Sequence, residues 1–448
     1  DGTMNITVER KGITANGDVL INGVALNAEW VEDFTKESIY PTTYIIDGTL
    51  ENKDWEKLHL PFEPYVMGSA KVNLVLKGKG SSLEVGNGNF DLVETEIQFD
   101  PLSWKKDIGE EGGAIFNLQF VPDGLVNVND IIFVSDKLNS HQQLSFDDQR
   151  VTRLYVKDLK MSGMDFSALF DWDKDKSLYQ VSMSGDKFNA VPLMDIVLAT
   201  DDGSTQIDLP DYNFTGVVKN MAMYNDINMT DASIAAGYSN NEIVDFDYLG
   251  IWGLDKNLSI IIANSKSGEN ADINQQKLTL TTNDAGVGLR SLDFFNGGNQ
   301  GELVISADMT RQEQGLLFAG TIKASKFRVG NSALFSELLK EKEFAKAQEE
   351  LKVNGLSFDS FDGEFEQYNG VMTLKSGSAI GPTLGVTVDG FIDQKFDEVA
   401  LNGTIIPAYG INSFFSNIPL IGTILAGAKG EGVFSATYEM TGSIDDPK

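Results

Sequence analysis

KVNLVLKG, residues 71–78, sets Val72, Leu74 and Leu76 on one side of an extended chain and Asn73 and Val75 on the other. A period of two is the repeat of a β-strand, whose successive side chains point to opposite faces. The stretch therefore reads as a strand with one apolar face. The same rhythm recurs along most of the chain. Val93, Thr95, Ile97 and Phe99 alternate with Glu94, Glu96 and Gln98, and Phe116, Leu118 and Phe120 alternate with Asn117 and Gln119. Tyr179, Val181 and Met183 follow, then Leu303, Ile305, Ala307 and Met309, and finally Leu384, Val386 and Val388 and the run Phe434, Ala436, Tyr438 and Met440. Clusters such as GKG, GNGN, NDAG and NGGNQG separate the runs as turn material. Runs this close together join as antiparallel hairpins, so the chain reads as mainly β.

Composition bounds what such a chain can do. Its 448 residues are 42% hydrophobic, with 44 Gly and only 11 Pro, as frequent turns require. At roughly 100–200 residues per domain the length suggests two to four domains, although large β structures often run longer as one. Soft divisions near 150, in NSHQQLSFDDQR, and near 330 separate segments 1–150, 151–330 and 331–448. Cysteine is absent, which excludes disulfides, thiolate nucleophiles and Cys-based zinc sites. Thirty-five Lys and Arg against 66 Asp and Glu leave a net charge of −31. No basic stretch offers the footprint that nucleic acid or an anionic membrane surface requires, so no nucleic-acid partner is expected. No run of about 20 apolar residues is present to span a bilayer as a helix.

Two segments depart from the strand rhythm. From Asn331 to about Leu351, NSALFSELLKEKEFAKAQEEL is rich in helix formers; Asn331 or Ser332 can cap it, and Leu334, Phe335, Leu338 and Leu339 form a stripe that a helix would dock on a sheet. Between Glu398 and Lys429 there is no charged side chain, and Pro407 and Pro419 rule out one spanning helix. That stretch is either a buried plug or a surface that meets lipid or a partner.

Catalytic chemistry finds little to rest on. His59 and His141 are the only histidines, and each stands alone in its neighbourhood. Asp171, Asp173 and Asp175 begin like a calcium loop, but Lys176 stands where the turn needs Gly and Ser182 where it needs Glu. A solvated hairpin turn is the better reading. No nucleophile elbow or dinucleotide-binding glycine turn is found, and no metal or other cofactor is expected. A carboxylate enzyme such as a glycosidase on a β scaffold is a third-ranked alternative.

The C-terminal part resembles a known family. NDAGVGLRSLDFFNGGNQGELVISADM (Asn283–Met309) is followed in order by LLFAGTIKASKFRVGNSALFSELL (316–339) and GLSFDSFDGEFEQYNGVMTLKSGSAIGPTLGVTVDGFID (355–393). LNGTIIPAYGINSFFSNIPLIGTILAGAKGEGVFSATYEMTGSIDDP (401–447) completes the set. These blocks resemble the C-terminal region of the YhdP-like branch of the AsmA superfamily, across about residues 150–447. The resemblance implies kinship with the bridge-like lipid-transfer proteins, whose elongated antiparallel sheet curls into an open apolar groove, with one or two short helices near the C-terminus. It implies a non-enzymatic periplasmic segment of a Gram-negative protein, anchored to the inner membrane by a segment outside this chain. The expected role is to shield and conduct phospholipid between inner and outer membrane, in support of outer-membrane integrity. One departure is the charged KEKEFAKAQEEL, where relatives continue with apolar and small residues. The chain also stops at Asp445-Asp446-Pro447-Lys448, where relatives continue, so a piece of a longer protein is expected.

On that reading the groove-lining candidates are Leu384, Val386, Val388, Leu401, Ile405, Phe434 and Tyr438. Phe414, Phe415, Ile418, Leu420, Ile421, Ile424 and Leu425 would close one end of the groove or meet a membrane. The same alternation also builds a sealed sandwich core, and the residues alone do not separate the two. The alternative function is a cell-envelope scaffold that recruits outer-membrane or other envelope proteins by strand addition.

Overall fold

The computed structural model describes residues 2–35, 37–58, 65–121, 126–147, 150–198, 210–264, 275–312, 315–330, 333–340, 342–407, 435–444 and 448. The chain divides into two compact units, Asp1–Val197 with Asp211–Val218 and Leu198–Pro210 with Lys219–Lys448. Residue 150 lies inside the first unit and residue 330 inside the second.

The first unit holds β1 (Gly2–Glu9), β2 (Gly12–Ile21), β3 (Val24–Asp33), β4 (Thr42–Glu51), α1 (Asn52–Lys57), β5 (Val66–Lys79) and β6 (Ser82–Asp91). It continues with β7 (Thr95–Phe99), β8 (Trp104–Lys106), β9 (Gly112–Phe120), β10 (Val126–Ser135), β11 (Leu138–Phe146), β12 (Val151–Met161), β13 (Met164–Asp173) and β14 (Leu178–Asn189). α2 (Val191–Leu198) follows, and β15 (Tyr212–Ala222) begins in the first unit and ends in the second. The second unit holds β16 (Asn228–Ser239), β17 (Glu242–Trp252), β18 (Lys256–Asn264), β19 (Gln275–Thr282), α3 (Ala285–Ser291), β20 (Gly298–Asn299), β21 (Glu302–Gln312) and β22 (Gly315–Val329). After these come α4 (Ala333–Leu338), α5 (Ala345–Val353), β23 (Leu356–Tyr368), β24 (Val371–Ile380), β25 (Leu384–Asp393), β26 (Glu398–Pro407) and β27 (Ala436–Gly442).

The protein is mainly β, as the alternation requires, and every described pairing is antiparallel. In the first unit each strand pairs with the next in sequence from β1 to β6; β6 then pairs with β9, and the meander resumes to β14. In the second it runs from β16 to β27, with β19 pairing directly to β21. Neither sheet closes: among the described residues no pairing joins β1 to β14 or β16 to β27. Two-residue turns with positive φ at both positions keep the hairpins in register. Asn22-Gly23 (φ 51° and 80°) joins β2 to β3, and Asn369-Gly370 (52° and 80°) joins β23 to β24. Asn and Gly tolerate that left-handed backbone, and such turns match the twist of the flanking strands.

Short elements cover one rim of each sheet. α1 drives Trp55 down among Val24, Leu26, Leu50, Ala70 and Leu92, where it is 1% exposed and meets Phe90 edge-on at 6.4 Å. A capping box between Glu51 and Asp54 starts that helix, and Lys57 pairs with Asp54 at 2.8 Å. Beside it β7 and β8 form a small side sheet off β5, and Trp104 stands edge-on to Phe133 at 5.8 Å. Here Ile97 and Phe99 keep their strand alternation, but in the side sheet and not in the main one. Lys106 is buried there, donating to the carbonyls of Thr95 (2.9 Å) and Asp107 (3.2 Å), and burial pushes its ammonium pKa down.

Trp55→Ala should lower unfolding stability by about 3–5 kcal/mol, because it empties a fully buried site under a six-residue helix. A urea titration followed by circular dichroism reads this as a lower midpoint; an unchanged midpoint would mean that α1 does not seal the rim.

Candidate functional site: an apolar sheet face

The register brings apolar residues from every strand of the main sheet into lateral rows. In the first unit, direct cross-strand partners run Ile6, Ala15, Trp30, Tyr44, Leu76, Gly86, Leu118, Val128, Leu144, Leu154, Phe170 and Val181, with the Tyr44 hydroxyl and the Trp30 indole N–H as the side-chain polar groups. One residue along each strand, on the opposite face, the row reads Thr7, Thr14, Val31, Thr43, Lys77, Val85, Gln119, Asn127, Ser145, Arg153, Asp171 and Gln180. Only Val31 and Val85 break its polarity. A one-residue slip at any hairpin would exchange the two faces, so the turns described above decide which face is apolar.

The second unit repeats the arrangement. One row runs Ala236, Phe246, Ile262, Leu278, Ala307, Gly320, Phe365, Leu374, Gly390, Leu401 and Met440. Its neighbour on the same face runs Ile234, Tyr248, Ile260, Leu280, Ile305, Ile322, Gly363, Gly377, Val388, Gly403 and Tyr438. Glycines make room for rings on the apolar faces of both units. A Cβ on Gly88 would lie 2.6 Å from the Phe116 ring, and one on Gly363 would lie 2.9 Å from that of Phe361.

What covers this face is incomplete. Trp30, Tyr44, Leu76, Leu118, Val128, Leu144, Leu154 and Phe170 are all half-buried, neither sealed nor free. Phe246, Ile260, Ile262, Leu278, Ile305 and Ile322 are the same. A sealed sandwich core would bury each and gain the full roughly 1.5–3 kcal/mol per large side chain. Besides neighbouring strands, the substantial sheet contacts of the helices are those of α1 with β4 and β5, α3 with β20 and β22, and α5 with β23. None of these helix contacts falls on the middle of the rows, where Tyr248, Leu280 and Ala307 are buried and the other large side chains are half-buried. The Trp30 Nε1, in the first of these rows, is buried and has no acceptor there.

Near the C-terminal end of the second unit the face is covered. α4 and α5 do not form the single helix expected from 331–351. They are separate, with a 3-10 turn at Lys342–Phe344 between them. The Leu339 carbonyl accepts from the Gln348 side chain, and the break lets both Leu339 and Phe344 reach the sheet, at 0% and 2% exposure. With Ala347 and Leu351 they pack on Val329, Leu356, Phe358, Ala379, Leu384, Val386 and Ile405. Phe335 and Leu338 are half-buried against this cluster; Leu334 stands in α4, but its side chain lies outside the described residues.

Six of the seven lining candidates are therefore neighbours. Val386 and Ile405 are direct partners under the helices, with Leu384 beside them; Leu401 and Val388 lie in the two rows, and Tyr438 is opposite Gly403. The Tyr438 hydroxyl donates to the Thr387 carbonyl at 2.9 Å, and burial pushes its pKa well above the usual tyrosine range. Phe434 and the segment with Phe414, Phe415, Ile418, Leu420, Ile421, Ile424 and Leu425 lie outside the described residues, as does His59. The first-unit row was missed by sequence reasoning, although its signal was the same alternation at 72–76 and 116–120.

Other groups are occupied with folding. Asp173 accepts from the backbone of Asp175 and Lys176 and pairs with the Lys176 ammonium at 3.3 Å, so it shapes the β13–β14 turn. Among the described residues no group of three His, Asp or Glu is arranged to hold a metal. His141 lies 3.1 Å from Asp130, which also meets Lys157 at 3.3 Å; His141 and Lys157 hold the Asp130 carboxyl below its usual pKa. No described helix is long and apolar enough to cross a membrane. No family model matches the chain, and no curated protein or solved structure matches it.

A carboxylate placed on the face measures how open it is. Leu144→Asp, in the half-buried row, should leave a folded protein with a modestly lower urea midpoint. Ile405→Asp, beneath the helices at 1% exposure, should unfold the second unit. Equal, severe losses at both positions would mean that the whole face is a sealed core.

Proposed function

We propose that the apolar face shelters the acyl chains of phospholipid, and that the chain is the periplasmic part of an inner-membrane-anchored, non-enzymatic protein that conducts phospholipid between the two membranes of a Gram-negative envelope and so supports outer-membrane integrity. The observation that carries this reading is the three apolar rows, most of whose large side chains are only half-buried, with no described helix lying over their middle. Exposed acyl chain costs about 0.8 kcal/mol per CH₂ in water, so an open apolar face offers a lipid what a bilayer offers it. Depth also fits. From Ala70 to Leu76 the face of β5 spans six residue steps, roughly 20 Å at the rise of a strand. One leaflet's hydrocarbon is about 15 Å, half of the usual core. The location and the anchoring rest on the resemblance of residues 283–447 to the YhdP-like sequences. The polar opposite face and the net charge of −31 keep the other side of the sheet in water.

A second reading is favoured by β1. Among the described residues β1 is seen paired with β2, and on its free side Ile6 and Val8 are 65% and 70% exposed. Strand addition along β1, by another chain, is the mode an envelope scaffold would use.

Native mass spectrometry of the purified chain, with lipid extraction from the same sample, separates the two. Several phospholipids per chain, reduced by Leu118→Asp and by Val388→Asp in folded protein, are expected for the conduit. A lipid-free mass that stays unchanged after incubation with phospholipid vesicles would contradict it and favour the scaffold.

A further inference from the structure

We propose that α4, the 3-10 turn and α5 form a reversible cover over a cryptic acyl-chain site on the second unit's sheet, a site closed in the resting chain and opened when acyl chains displace the cover. The inference rests on the lipid reading above and adds to it a conformational step.

Three observations carry it. First, the rows do not change chemistry where the helices begin. Phe361, Ala379, Val386, Ile405 and Ala436 are successive lateral partners, and they continue the face on which Ile305 and Ile322 stand half-exposed. The surface under the cover is thus the same surface that lies open beside it. Second, the cover is made of pieces of six, three and nine residues. Isolated helices below about 12–15 residues are marginal in water, so these pieces keep their shape by lying on the sheet. Segments of that kind open at lower free energy than the strands beneath them. Third, the described polar links between α5 and the sheet are one carboxylate and, at the C-cap, the Asn354 carbonyl accepting from Arg328 at 3.3 Å. Glu350 accepts from the Ser357 backbone N–H at 3.2 Å and from the Thr383 hydroxyl, tying the helix to the start of β23 and to the turn before β25. The outward positions Lys346, Glu349 and Lys352 are exposed and charged, so the helix can swing into solvent without exposing a second apolar side there.

An acyl chain on the open rows and the stripe of Leu339, Phe344 and Leu351 would therefore compete for Phe358, Leu384, Val386 and Ile405. Methylenes of the lipid then shelter the sheet area that the cover uncovers. Apolar burial is non-directional, so the exchange requires no matched polar partner.

The test is amide hydrogen exchange of the full chain, read by mass spectrometry with and without vesicles of phosphatidylethanolamine and phosphatidylglycerol. Bound lipid is quantified in the same samples. In lipid-loaded protein, exchange over 345–353 should rise by about tenfold or more while β21 and β22 stay protected, as local opening requires. Glu350→Ala should raise it without lipid, and Glu350→Gln should raise it less. Lipid bound with unchanged exchange at 345–353 would overturn the cover and leave the lipid reading standing. No bound lipid would overturn that reading and the cover with it. Should Glu350→Ala fail to fold, the comparison of the unaltered chain with and without vesicles decides alone.

Discussion

Everything in this protein follows from an apolar face that its own sheet does not finish burying. The hydrophobic effect rewards removal of apolar area from water and has no preference for what removes it. Across the middle strands of both units, among the described residues, no helix covers the face, and Trp30, Leu118, Leu144 and Phe170 stay partly wet. A protein of this size has ample chain to fold a second layer, as sandwiches do. Here the extra chain is spent on one rim of each sheet, in α1 with β7 and β8, and in α3 with α4 and α5. Those rims hold the deepest burial, from Trp55 to Leu339 and Ile405. The result is a face closed along one side and open along its middle.

That arrangement gives the two faces opposite jobs. The polar rows keep the sheet soluble, while the apolar rows are long in the direction across strands and narrow along them. A binding pocket would be concave and bounded on all sides with a few fixed polar groups. Rows that cross a dozen strands are not bounded in that way, which is why the proposed ligand is apolar and chain-like. Gly88, opposite Phe116, and Gly363, two residues from Phe361 on the same strand, leave room for aromatic side chains against the sheet.

The strand character of this architecture was legible in residues 71–78 and their repeats, because a period of two leaves its mark in any window of eight residues. The lateral rows were not legible. They depend on register, which is decided at turns such as Asn22-Gly23 and at bulges such as the one between Val128 and Ile131, and no single strand contains that information. For the same reason the first-unit row escaped notice while its strands were recognised. The expected helix over 331–351 was correct in composition and wrong in continuity, because the break depends on where Leu339 and Phe344 find the sheet. The side sheet of β7 and β8 carries ordinary strand alternation, and nothing local marks that it leaves the main sheet. Six of the lining candidates did come together, since alternation on β25 and β26 puts Val386 opposite Ile405 once the hairpin is closed.

Photo-crosslinking with a phospholipid that carries a diazirine in its acyl chain tests the central claim most directly, with adducts mapped by peptide mass spectrometry. The account predicts adducts on the apolar rows, at residues such as Trp30, Leu118, Leu144, Ile262 and Leu278, and none on the opposite row at Gln119, Ser145 or Arg153. Adducts spread over both faces, or confined to the outer one, would contradict it.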